Sequence, residues 1–159
     1  MIPELRRSFN EAFTPERYRA FVSDLERRCG ADIHFRVSET PCFFRRPLVG
    51  RLAATGIPLI EQLMASAEYR RASDATIPPE FNAPGEGEHP LFVQADFGLV
   101  RQADGSVEPK LVELQAFPSL YGFQRAFAEQ YRKSWAVPDD LGVFLGGLVD
   151  LSYDTLLKK

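Results

Sequence analysis

Apolar residues recur at helical spacing along several stretches of the chain and alternate with polar ones in one stretch. Thr14-Pro15 marks a helix start, since Thr14 can cap and proline suits the first helical position. From there Tyr18, Phe21, Val22 and Leu25 fall on one face, Arg27 and Arg28 sit at the negative end of the helix dipole, and Gly30 closes the helix. A shorter helix over Glu4–Ala12 precedes it. Pro47–Thr55 and Pro58–Arg70 read as two helices, or one broken at Gly56-Ile57-Pro58, with Leu59, Ile60, Leu63 and Met64 as the apolar stripe. Ser119 is placed to cap a helix running to about Trp135, with Leu120, Phe123, Phe127 and Tyr131 turned inward. Pro138-Asp139-Asp140 ends it. A last amphipathic helix, Leu141–Leu157, carries Phe144, Leu145, Leu148 and Val149.

Strand patterning is confined to fewer segments. Ile33–Val37 and Cys42–Phe44 are short strand expectations. The strongest alternation lies in Leu91–Phe117, LFVQADFGLVRQADGSVEPKLVELQAF. Leu91, Val93, Ala95, Phe97 and Leu99 share one face there, with Gln94 and Asp96 on the other. After the turn, Val112 and Leu114 face one way and Glu113 and Gln115 the other. Asp104-Gly105 is a strong signal for a two-residue hairpin turn. Centring the hairpin on it sets Asp96 opposite Glu113 and Gln94 opposite Gln115. A slip of one residue would set Asp96 against Val112 or Leu114 and bury the acids. Between the helices and this hairpin, Ser73–Pro90 holds four prolines and two glycines, which predicts a surface loop. The expected class is α+β, an antiparallel hairpin with flanking helices, in a single domain over residues 1–159.

Composition narrows the function classes. Hydrophobic residues make up 45% of the chain and charged residues 26%, the balance of a globular domain. The net charge is −3 with both signs interspersed, so nothing marks a nucleic-acid or anionic-membrane surface. The charged N-terminal stretch MIPELRRSFNEAF is not a signal peptide, and no window is apolar enough for a membrane helix, so a cytoplasmic protein is expected. Cys29 and Cys42 have no CxxC spacing and no histidine at zinc spacing, which predicts reduced, buried thiols. With only His34 and His89 in the chain, no Ser/His/Asp or Cys/His set can be assembled. Asp96-Phe97-Gly98 spells a kinase metal motif but lacks the catalytic and glycine-rich loops a kinase needs upstream.

The chemistry therefore rests on the hairpin. Two carboxylates directly across a strand pair repel by a few tenths to about 1 kcal/mol. A divalent cation reverses that sign. Mg²⁺ is a hard ion that takes carboxylate and amide oxygens and commonly shares them with phosphate. Asp96 and Glu113 are the predicted ligands, and Gln115 can add a neutral carbonyl oxygen.

This segment resembles the metal-ligand hairpin of ATP-grasp enzymes. The matching residues are Asp96-Phe97 on the first strand, Gly105 in the turn, Glu113-Leu114-Gln115 on the second strand and Pro118 beyond it. The resemblance implies that Asp96, Glu113 and Gln115 bind Mg²⁺ and, through it, ATP. It departs from the family at two positions. The family usually has arginine where this chain has Gln94, and asparagine where it has Gln115. About ninety residues precede the hairpin, without a glycine-rich phosphate loop. That order is similar to the circularly permuted ATP-grasp proteins, such as glutathionylspermidine synthetases, in which the metal-ligand strands come first. The resemblance implies an N-terminal portion of an ATP-dependent carboxylate–amine ligase, inactive alone, whose partners are a nucleotide and a small carboxylate and amine. The alternative expectation is a non-catalytic α+β domain that binds a partner protein.

Overall fold

The capping signals around Thr14 and Gly30 act as their chemistry dictates. In the computed structural model, which describes every residue except Ala83, Glu86, Glu88, Phe117, Pro118, Ser119 and Lys159, helix α1 spans Pro3–Glu11 and α2 spans Pro15–Cys29. The Thr14 hydroxyl accepts from the Arg17 N–H at 3.2 Å, and Gly30 ends α2 in the left-handed conformation at φ 66°. The remaining elements are α3 (Arg46–Ala65), α4 (Ala67–Asp74), a 3₁₀ turn (Pro79–Phe81), β1 (Gln94–Arg101), β2 (Val107–Gln115), α5 (Tyr121–Ser134) and α6 (Asp150–Leu157). The chain is α+β, as its patterning predicts, and none of its described helices is long and apolar enough to cross a membrane. Its contacts divide into two compact units, Met1–Arg46 with Leu120–Lys159, and Pro47–Ser119.

The first unit holds the buried core. Phe9, Phe21, Leu25, Val37, Phe43, Tyr131 and Trp135 form one cluster drawn from α1, α2, α5 and the irregular segment between α2 and α3. Phe21 sits at its centre, with ring centroids 4.6 Å from Tyr131 and 5.0 Å from Trp135. The Tyr131 hydroxyl donates to the Ser38 carbonyl, and burial pushes its phenol pKa up, so it remains a donor across ordinary pH. Tyr18 donates to the Val37 carbonyl at 2.6 Å. These bonds pin residues 37–38 as coil. Ile33–Val37 and Cys42–Phe44 are therefore not strands, because no neighbouring strand takes up their backbone groups. Both cysteines are free, but they are exposed rather than buried.

The last helix is shorter than its apolar pattern suggests. Gly146 and Gly147 take φ 63° and 74°, which breaks any helix there, so α6 begins only at Asp150. The Ser152 hydroxyl accepts from the Val149 N–H at 2.9 Å. Arg125 ties α6 to α5 through Asp150 at 3.0 Å and Asp154 at 3.7 Å. At the start of α5 the expected Ser119 cap lies outside the described residues. Leu120 precedes the helix at φ 63° and is exposed rather than inward, a conformation that costs a non-glycine residue about 1–2 kcal/mol.

The second unit packs α3 and the hairpin with no fully buried apolar side chain among the described residues. Pro58 does not break α3, which runs through it. The carbonyl left without its N–H partner belongs to Ala54, an exposed residue that water can reach. Ser66 then ends the run and caps α4, accepting from the Tyr69 N–H at 3.1 Å, so the helix expected over Pro58–Arg70 is divided between α3 and α4. The close approach of α3 to the sheet falls at the buried Gly56. A Cβ there would lie 3.3 Å from the Ala95 Cβ and 3.5 Å from the Phe97 ring. Gly56→Leu is expected to destabilise this unit by about 1–3 kcal/mol, read as a lower urea midpoint by circular dichroism, because the strand backbone holding Ala95 cannot yield as a long side chain would.

Candidate functional site

Local hydrogen bonding at the hairpin tip sets its register. The loop is not the expected two-residue turn but has three residues, Ala103-Asp104-Gly105, between Gln102 and Ser106. Gln102 donates to the Ser106 carbonyl at 2.9 Å, and Gly105 donates to the Gln102 carbonyl at 3.0 Å from φ 82°. The Asp104 carboxylate accepts from the Ser106 N–H at 2.9 Å. Hydrogen bonding from Ser106, side chain first and backbone second, holds the Asp104 carboxyl below its ordinary pKa.

That tip sets Arg101 against Val107 and Phe97 against Leu111, one residue out of step with a two-residue turn. Extended without interruption, it would put Asp96 against Val112. A bulge between Asp96 and Phe97 absorbs Val112 as an extra residue and restores the alignment. Asp96 then pairs with Glu113 and Gln94 with Gln115, as the polar pattern requires. Two departures from a regular hairpin cancel. Val112, expected inward, is 68% exposed, and its side chain lies 3.8 Å from the position of a Cβ on Gly98. Leu111 takes its place opposite Phe97.

The four polar side chains touch one another, and their pairing differs from a simple ladder. The Gln94 amide nitrogen donates to Asp96 Oδ1 at 2.9 Å. The Gln115 amide nitrogen donates to Asp96 Oδ2 at 3.5 Å and also to Glu113 Oε1. Both amides thus turn their N–H groups toward the carboxylates, which partly offsets the repulsion between two like charges. Asp96, Gln94 and Gln115 are half-buried, whereas Glu113 is exposed. Among the described residues, no group of three or more histidine, cysteine, aspartate and glutamate side chains gathers in a metal-sized cluster. The donor set available to a cation is therefore two carboxylates and one amide, and Gln115 presents oxygen only after its amide turns over. That set fits Mg²⁺, which is usually held by one or two carboxylates and completes its shell with water or phosphate. Pro118 lies outside the described residues.

Two basic residues near this set escaped the sequence pattern. A cleft of about 630 Å³ in the same unit is lined by Arg70 and Arg71 of α4 and reaches Ala116, the residue after Gln115. Neither arginine has an ion pair among the described residues. The signal that would have found them is charge, because Pro47–Ser119 contains ten acidic residues and only five basic ones. Two cations grouped in so acidic a segment stand out. Compared with protein-family models, with curated proteins and with solved structures, the chain matches none.

Proposed function

We propose that the hairpin is a divalent-cation site, and that the protein supplies the metal-ligand portion of an ATP-grasp-like, ATP-dependent carboxylate–amine ligase. The observation that carries this reading is the convergence of Asp96, Glu113 and Gln115, with one amide touching both carboxylates across the strand pair. Asp96 and Glu113 would hold Mg²⁺, and Gln115 would turn its amide to add an oxygen. When bound, the ion would supply positive charge against which a phosphate or acyl phosphate is stabilised. Arg70 and Arg71 would face the anionic end of a ligand in the adjoining cleft. Gln94 leaves no cation on its own strand position, and its bond to Asp96 orients that carboxylate instead.

Mn²⁺, titrated by its paramagnetic broadening of Asp96 and Glu113 neighbour resonances, tests the site directly. Wild type is expected to show saturable broadening confined to β1 and β2. Asp96→Asn with Glu113→Gln should weaken it at least tenfold. Equal broadening in both proteins would remove the metal reading. No ATP turnover is expected from residues 1–159 alone, and robust hydrolysis abolished by Glu113→Ala would show that the portion is already complete.

A second reading, a non-catalytic interaction domain, is favoured by the large apolar side chains exposed on the same unit, Phe81 at 74%, Val112 at 68% and Leu91 at 64%. Under it the same double substitution relieves a repulsive pair, so stability rises and added metal leaves wild type unchanged.

A further inference from the structure

Helices α2 and α5 enclose a second charged feature, in the unit without the hairpin. Their shared cleft, of about 560 Å³, is lined from α2 by Arg17, Phe21, Asp24, Arg27 and Arg28, and from α5 by Gln130, Lys133 and Ser134. Four cations and one carboxylate thus face one space. Arg27 is neutralised by Asp24 at 2.6 Å, and Arg28 by Glu129. Arg17 and Lys133 have no carboxylate partner among the described residues.

The usual explanation for basic residues here is compensation of helix dipoles. It accounts for Arg27, Arg28 and Lys133, which occupy last turns. Arg17 differs, because it sits in the first turn of α2, where a positive charge opposes that helix's dipole, and reaches instead the carbonyl ends of two other helices. Arg17 is held instead by uncharged groups. Its Nε donates to the Ser134 carbonyl at 2.6 Å, one terminal nitrogen donates to the Ala12 carbonyl at 3.3 Å, and its guanidinium lies 5.6 Å from the Trp135 ring centre. These contacts hold the cation against the carbonyl ends of α1 and α5 and leave it without a carboxylate partner. The floor is buried and polar at one point, with Phe21 at 1% and Gln130 at 5% exposure. Gln130 donates its amide to the Ser134 hydroxyl at 3.2 Å, which leaves that hydroxyl's own proton free to donate.

A guanidinium held by carbonyls, an exposed ammonium and a hydroxyl donor therefore line one cleft above a buried floor. We propose that the α2–α5 cleft binds a small multivalent oxyanion, with Arg17 and Lys133 supplying the charge and Ser134 a neutral hydrogen bond. Phosphate and carboxylate ligands share this chemistry. The site is independent of any cation at the hairpin.

Pyrophosphate and citrate, titrated separately by calorimetry in EDTA at physiological ionic strength, test it and distinguish the two sources. Saturable one-to-one binding of at least one of them is expected, weakened about tenfold or more by Lys133→Glu and several-fold by Ser134→Ala. Lys158→Glu makes the same charge change on an exposed residue outside the cleft and should leave affinity within twofold. Unchanged Trp135 fluorescence confirms that each variant is folded. Equal weakening by Lys133→Glu and Lys158→Glu, or no saturable binding of either anion to wild type, overturns the proposal.

Discussion

Truncating Phe21 to alanine is expected to destabilise the first unit by about 3–5 kcal/mol, a large share of the ~5–15 kcal/mol that holds a typical domain together. The size of the effect follows from where the ring sits. Phe21 is 1% exposed and packs against Tyr18, Phe127, Tyr131 and Trp135, so its removal opens a cavity whose walls come from both α2 and α5. Those walls cannot collapse easily, because Tyr131 and Arg17 are tied to backbone carbonyls on either side. Trp135 is the only tryptophan and lies 5.0 Å from the Phe21 ring. Its fluorescence therefore reports this unit in a urea titration. The midpoint should fall sharply, with a smaller fall for Phe21→Leu, which retains most of the volume. A Phe21→Ala midpoint within error of wild type would mean that the aromatic cluster does not hold the unit together.

The same cluster shows which parts of the structure were legible in the sequence. Phe21, Leu25 and Tyr131 could be placed inward from helical spacing alone, because Tyr18, Phe21 and Leu25 share a face of α2 and Phe123, Phe127 and Tyr131 a face of α5. The ends of α2 were readable because Thr14 and Gly30 each do one local job. Elements whose outcome depends on distant partners were not readable. Ile33–Val37 is patterned like a strand, yet the Val37 carbonyl goes to the Tyr18 hydroxyl of α2 and the next one, of Ser38, to the Tyr131 hydroxyl of α5. Leu141–Val149 has a helical stripe, but the conformations of Gly146 and Gly147 override it. At the hairpin, centring on Asp104-Gly105, with the polar pattern excluding a one-residue slip, set Asp96 against Glu113, and the two do pair. The route was hidden, since neither the three-residue turn nor the bulge at Val112 leaves a local signature stronger than Asp104-Gly105. Pattern thus determined which residues meet, while backbone detail determined how. The orientation of the glutamine amides lay beyond both, because it depends on which neighbour competes for their N–H groups.

That orientation makes Gln115 the position where charge and stability are most tightly coupled. Replacing it with glutamate removes the amide donor to Asp96 and Glu113 and places a third carboxylate on the same face of the hairpin. Without divalent metal, Gln115→Glu should destabilise the hairpin by about 1–3 kcal/mol, the scale of hydrogen bonds to charged groups lost together with added repulsion. Faster amide exchange across residues 94–101 and 107–115 would report it, with Trp135 fluorescence unaffected. Mg²⁺ should reverse the loss, because three carboxylates bind the ion more tightly than two, and a ligand at a hundredfold excess over its Kd stabilises by about 2.7 kcal/mol. Gln115→Leu separates the two contributions. It forfeits the same donor but offers no ligand, so it should lose protection and regain little of it with Mg²⁺. If Gln115→Glu exchanges no faster than wild type in EDTA, the amide is not what holds the carboxylates together. If it exchanges faster and Mg²⁺ does not slow it, Asp96 and Glu113 are a repulsive surface pair rather than ligands, and the interaction-domain reading takes precedence.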